Sequence, residues 1–194
     1  MPRMVLALAR GMAVLGGLVL TALIAITCLS VLGGLANKVL HSGLVEASLP
    51  DMARRLLDLG VGPLFGDTEM VEVGVAFVIF CFLPLCQITG SHASVDIFTS
   101  RLPNGFNRAV QVIVDVVFAA VLILIAWRLF EGLLDKHQYN ETTYDLQFPF
   151  WWSYAASLAA ACVAAVVGVY VAVVRMIEIL SGQSILPNTQ GTDG

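Results

Sequence analysis

Residues 67–96 read DTEMVEVGVAFVIFCFLPLCQITGSHASVD. Two carboxylates, Glu69 and Glu72, stand near the start, and residues 73–91 then carry no formal charge. About 19 such residues are what a helix needs to cross a bilayer. His92 and Asp96 close the stretch. An apolar centre between two charged ends predicts a spanning helix with chemically different rims. Pro84 lies inside it and Gln87 lies about one turn further on. The proline is expected to kink the helix or to leave a carbonyl for a neighbouring group.

The rest of the chain supports a membrane setting. Of 194 residues, 58% are hydrophobic and only 12% are charged, against about 25% charged in a soluble domain. Mean hydropathy is +0.87. No basic run suggests nucleic acid as a partner. The four cysteines, Cys28, Cys81, Cys86 and Cys162, all fall in apolar stretches without a C-x-x-C pair. They are expected to act as small hydrophobes, with no metal or cofactor implied. His41, His92 and His137 lie at rims or in loops, which argues against a haem held inside the bilayer. With no nucleophile–base set and no glycine-rich phosphate loop, we expect no enzyme.

Working outward, the pattern predicts four spans in one membrane domain, at about 11–36, 70–90, 108–134 and 148–175, with a flexible tail over 181–194. The first apolar run is about 26 residues, too long for the 7–15 of a signal peptide. Within it Ala13, Gly17, Thr21 and Ala25 recur every fourth residue, predicting a small-residue strip for close helix packing. Residues 48–60 read SLPDMARRLLDLG. Ser48 and Asp51 form a capping-box pattern, the apolar residues repeat at helical spacing, and Gly60 is a stop. A short amphipathic interfacial helix over 49–59 follows, lying along the membrane surface and carrying Arg54 and Arg55.

The third span places Arg108, Gln111 and Asp115 on one face. Asp115 lies roughly 10 Å along the axis from Arg108. An ionisable group at such depth needs a partner. The expected reading is a structural polar contact with Gln111, Arg108 or another subunit, and the alternative is an ion or proton relay. The fourth span opens on FPFWWSY at 148–154, an aromatic belt for the interface. Ala156, Ala160, Ala164 and Gly168 form a second small-residue strip, and the next charge is Arg175.

Four spans put both termini on one side. That side carries Arg3, Arg10, Arg101, Arg108 and Arg175, and the other carries Lys38, Arg54, Arg55, Arg128 and Lys136. The equal count does not set orientation by the positive-inside rule. Arg3 and Arg10 precede the first span, and most acids lie on the opposite side. Both termini are therefore expected in the cytoplasm.

Three motifs in this order resemble a known family. They are Glu69-Met70-Val71-Glu72, then His92, Val95 and Asp96 followed by Arg101-Leu102-Pro103, then Pro149-Phe150-Trp151-Trp152-Ser153-Tyr154. Over about residues 10–180 the chain resembles the small, DctQ-type membrane subunit of tripartite ATP-independent periplasmic (TRAP) transporters. The resemblance implies a scaffold in the bacterial inner membrane that holds no transport site. It implies a large DctM-type membrane subunit that binds Na⁺ and substrate, and a periplasmic substrate-binding protein that delivers a carboxylate. On this reading Arg54, Arg55, Glu69 and Glu72 would shape the subunit or periplasmic interface. Gln87, His92, Asp96, Arg108, Gln111 and Asp115 would make structural polar contacts, and Gly17 with the fourth-span strip would pack helices. The alternatives are an autonomous four-helix redox protein or enzyme, and a stand-alone ion-coupled transporter using Asp115.

Overall fold

A computed structural model describes residues 3–42, 60, 62–89 and 104–181, with side chains from 110 to 178 in the last segment. Among the described residues four helices make up the fold: α1 (Arg3–Leu40), α2 (Asp67–Thr89), α3 (Asn104–Tyr139) and α4 (Phe150–Ser181). Each contains a stretch long and apolar enough to cross a bilayer. The interfacial helix expected at 49–59 and the tail beyond Ser181 lie outside the described residues, as do His92 and Asp96.

The helices outrun the apolar stretches that signal them. The 38 residues of α1 make a rod roughly 57 Å long, against a hydrocarbon layer of about 30 Å. The reason is local. RMVLALAR before the apolar run is rich in good helix formers, so the helix begins ahead of the lipid. Its other end is capped: the His41 ring Nδ1 lies 3.0 Å from the Asn37 carbonyl and the Ser42 hydroxyl donates to the Val39 carbonyl at 2.6 Å. These contacts serve carbonyls that a helix end leaves open. Inside the span, the exposed hydroxyls of Thr21 and Thr27 donate to the carbonyls of Gly17 and Leu23, which hides two polar groups from lipid. The end of α3 is set by Asn140 at φ 49°, the left-handed cap that Asn tolerates. The helical assignment of α2 is unbroken through the fully buried Pro84.

The helices stand in a row, in the order α1, α2, α4, α3. α4 packs broadly on both α3 and α2, α1 packs on α2, and α1 meets α4 only marginally. One core cluster joins Ala9 of α1, Ile88 of α2, and Val167 and Val171 of α4. A second joins Leu122 of α3 to Ala164 and Ala165, with Leu83 of α2 against it. Many large side chains on the outer faces stay exposed, among them Leu18, Ile79, Leu124 and Val166. In lipid that exposure carries no penalty, since acyl tails are as apolar as leucine.

Packing of α1 runs along a different line from the strip seen in the sequence. A Cβ at Gly17 would meet nothing, whereas one at Gly16 would lie 2.7 Å from the Cβ of Cys81. The contact line is Ala9, Gly16, Leu23 and Ser30: Ala9 is fully buried, Leu23 lies over Gly74, and Ser30 is buried. These positions are seven apart. A seven-residue step drifts only about 20° around a helix, so one straight neighbour can follow it. A four-residue step at 3.6 residues per turn advances about 40° each time, which carries Thr21 and Ala25 onto the exposed side. The same drift leaves Ala156 exposed while Ala160, Ala164 and Gly168 are buried in α4.

Candidate functional site

Two polar constellations stand at opposite ends of the helices. At the end that holds both described termini, Asp115 of α3 is 1% exposed and lies 2.9 Å from Nη1 of Arg175 on α4, whose side chain is 16% exposed. The antiparallel register of α3 and α4 brings them level, with Leu122 against Gly168 and Gly132 against Tyr154 further along. Spacing along the sequence points to Gln111, Arg108 or another subunit as the partner of Asp115. The structure supplies Arg175, the first charge to appear after α4 begins. Gln111 sits one turn from Asp115 and is partly buried. The side chain of Arg108 lies outside the described residues.

Gln87 stands on α2 beside Ile88 of the first core cluster, fully buried. Neither its Oε1 nor its Nε2 has a hydrogen-bond partner among the described residues.

At the other end, the segment between α3 and α4 folds into a compact strap. The Thr143 amide donates to the Phe148 carbonyl at 2.9 Å and the Phe150 amide to the Glu141 carbonyl at 3.0 Å. Thr143 is 2% exposed, and its hydroxyl accepts from the Phe148 amide at 3.0 Å. Lys136 pairs with Glu141 across the base of the strap. Glu69 at the start of α2 then ties the strap down, its two oxygens accepting from the amides of Asp145 and Leu146 at 2.9 and 3.1 Å. Leu146 rests on Gly66, whose φ of +75° and crowded Cβ direction both call for glycine. Beside it, Ser30 of α1 accepts from the Leu64 amide at 3.1 Å.

Glu72, one turn below Glu69, is exposed and lines a cavity of about 340 Å³ between α2 and α3, together with Lys136, Tyr154 and Ser157. The floor is α4, tied to α2 by the Ser153 hydroxyl donating to the Val73 carbonyl at 2.7 Å. Arg54 and Arg55, the other expected interface residues, lie outside the described residues. No disulfide joins the four cysteines; Cys81 is buried and Cys28 and Cys162 are exposed. No group of three or more histidine, cysteine, aspartate or glutamate side chains among the described residues is placed to hold a metal.

Glu69 gives a direct test of the strap. Replacing it by Ala is expected to speed hydrogen exchange of the Asp145 and Leu146 amides by roughly an order of magnitude. Glu69→Gln keeps one acceptor oxygen and should fall between. Unchanged exchange at both amides in Glu69→Ala would show that the carboxylate does not hold the strap.

Four apolar helices, the aromatic girdle at the start of α4 and a buried carboxylate paired with an arginine define a multi-pass membrane protein. The chain matches the family model described as Tripartite ATP-independent periplasmic transporters, DctQ component, over residues 51–179. It belongs to that family, and so is a small membrane component of a tripartite transporter that works with a larger membrane component and a periplasmic binding component. No curated protein and no solved structure shows a significant match.

Proposed function

We propose that the chain is the static membrane anchor of a Na⁺-coupled transporter importing an organic acid, with both termini in the cytoplasm. The large membrane component binds ion and substrate. The strap, Glu69, Glu72, Arg54 and Arg55 shape the face turned to the periplasmic binding protein. The observation that carries this reading is the Asp115–Arg175 pair. The buried carboxylate is already matched by a cation at 2.9 Å. An arrangement closed on itself suits a scaffold better than an ion path, which needs sites that fill and empty in turn.

The test is reconstitution. Proteoliposomes holding this chain with its large component, supplied with the binding protein and an inward Na⁺ gradient, should take up the carboxylate that stabilises the binding protein. Vesicles lacking either membrane component should not. Uptake by this chain alone, abolished in Asp115→Asn, would replace the scaffold reading with a stand-alone transporter.

A further inference from the structure

The cavity beside the strap has a graded lining. α2 and α3 flank α4 without packing on each other, so the cavity is a cleft with α4 as its floor and an open side between the two outer helices. Lys136 and Phe150 stand together at the strap end, with Lys136 Nζ 5.9 Å from the centre of the Phe150 ring. Glu72 comes next, beside Val73, whose carbonyl accepts from the Ser153 hydroxyl. α2 and α4 run parallel from there, since Ile88 meets Val167 and Val171 in one cluster. Ser157 lies one turn beyond Ser153 along α4, roughly 6 Å deeper. Val73, Ala76 and Leu129 supply apolar walls.

The polar groups of this lining have capacity to spare. Ser157 is 2% exposed, and its Oγ has no hydrogen-bond partner among the described residues, although it borders the cavity. A buried hydroxyl in that state costs stability until something in the cavity meets it. Glu72 makes no ion pair with any described residue. Lys136 is held to Glu141, but an ammonium has three N–H donors and this contact uses one. The Tyr154 ring is fixed as a side wall, because Gly132 on α3 has no Cβ to push it away.

We infer that this cleft binds one phospholipid with an ethanolamine headgroup. Each part of the lipid has a counterpart. The ammonium donates to the Glu72 carboxylate, and the phosphate accepts from the spare donors of Lys136. An ester carbonyl, a few bonds further along the lipid, accepts from the Ser157 hydroxyl. An acyl chain leaves through the open side between α2 and α3, past Ala76 and Leu129. Other occupants leave a group unmet. Water satisfies Glu72 and Ser157 but wets the apolar walls. A choline headgroup has no N–H for Glu72, and a glycerol headgroup brings it no positive charge. A free amino acid carries both charges but has no acceptor left for Ser157 once they are paired.

The experiment is native mass spectrometry of the full-length chain, extracted in mild detergent, stripped of endogenous lipid and titrated in turn with dioleoyl phosphatidylethanolamine, phosphatidylcholine and phosphatidylglycerol. The unaltered chain should bind one ethanolamine lipid about tenfold more tightly than either of the others, the scale of one charge-assisted hydrogen bond. Glu72→Gln should erase that preference and leave the affinity for the choline and glycerol lipids unchanged. Ser157→Ala should weaken all three lipids about threefold, since the ester is common to them. The thermal midpoint of the stripped Ser157→Ala chain should stay the same or rise, because the hydroxyl has no partner to lose. Equal affinity of the unaltered chain for the three lipids would overturn the inference, as would an ethanolamine preference that survives Glu72→Gln. A Glu72→Gln chain that loses all three lipids equally, or a stripped Ser157→Ala chain that is less stable, would overturn it too, by marking the residue as a structural support. Binding of this lipid needs no other component of the transporter, so its failure leaves the proposed function standing.

Discussion

Replacing Arg175 with methionine is expected to strip most of the correctly folded chain from the membrane. The substitution leaves the Asp115 carboxylate 1% exposed with its cation removed. Breaking a buried ion pair by deleting one partner costs about 3–5 kcal/mol, a large part of the 5–15 kcal/mol that typically holds a folded domain. The two halves of the pair are unequal. Arg175 is the more accessible at 16% exposed and stands near the end of α4, so a long side chain can lead its charge out to water when Asp115 is lost. Asp115→Asn should therefore be milder than Arg175→Met. The double variant Asp115→Leu with Arg175→Met should recover most of the loss, because an apolar pair of similar volume often replaces a buried ion pair at no cost. The monodisperse fraction after mild detergent extraction reads all three. A double variant as poor as Arg175→Met would refute the account, since loss of the cation beside Asp115 would then not be the cause. Uptake by the full transporter separates structure from relay. If the double variant assembles and still transports, Asp115 carries no ion.

The second large effect is steric and falls where α1 meets the start of α2. A Cβ on Gly33 would overlap the carbonyl oxygen of Gly62 and stand 2.9 Å from its carbon. Those are backbone atoms and have no rotamer to escape into. Gly33→Ala must push residues 62–66 away from α1. That displacement pulls the Leu64 amide from Ser30 and disturbs Gly66, on which Leu146 of the strap rests. Overpacking of this kind costs typically 1–3 kcal/mol. Gly34→Ala is the internal control. Its Cβ would meet Pro63 at an ordinary 3.7 Å, and it should be close to neutral. Thermal aggregation midpoints in one detergent compare the two. Equal midpoints for Gly33→Ala and Gly34→Ala would show that the close approach at Gly62 is not needed.

Much of the fold was legible before any coordinates. Residues 73–91 without a charge specify a span, and the same reasoning finds the other three helices. The Glu69–Glu72 pair and the aromatic opening at 148–154 were also singled out from sequence. In sequence Glu69 reads as a group facing a partner. Its observed bonds run to Asp145 and Leu146 of its own chain, a use that no local pattern near residue 69 announces. The strip at Ala13, Gly17, Thr21 and Ala25 had the right composition on the wrong line, because composition does not say which way a neighbour leans.

What the sequence determined by itself is the number and type of the spanning helices and the membrane setting. Transfer into lipid depends on the sum of side chains along one segment, and a backbone without water must satisfy itself within that segment. Both are properties of neighbours in the chain. The tertiary structure alone decided the order α1, α2, α4, α3, the contact line through Gly16, the pairing of Asp115 with Arg175, and the cleft that gathers Glu72, Lys136 and Ser157. These depend on the rotation and register of helices far apart in sequence, where a shift of one residue turns a side chain about 100° and replaces a partner with lipid.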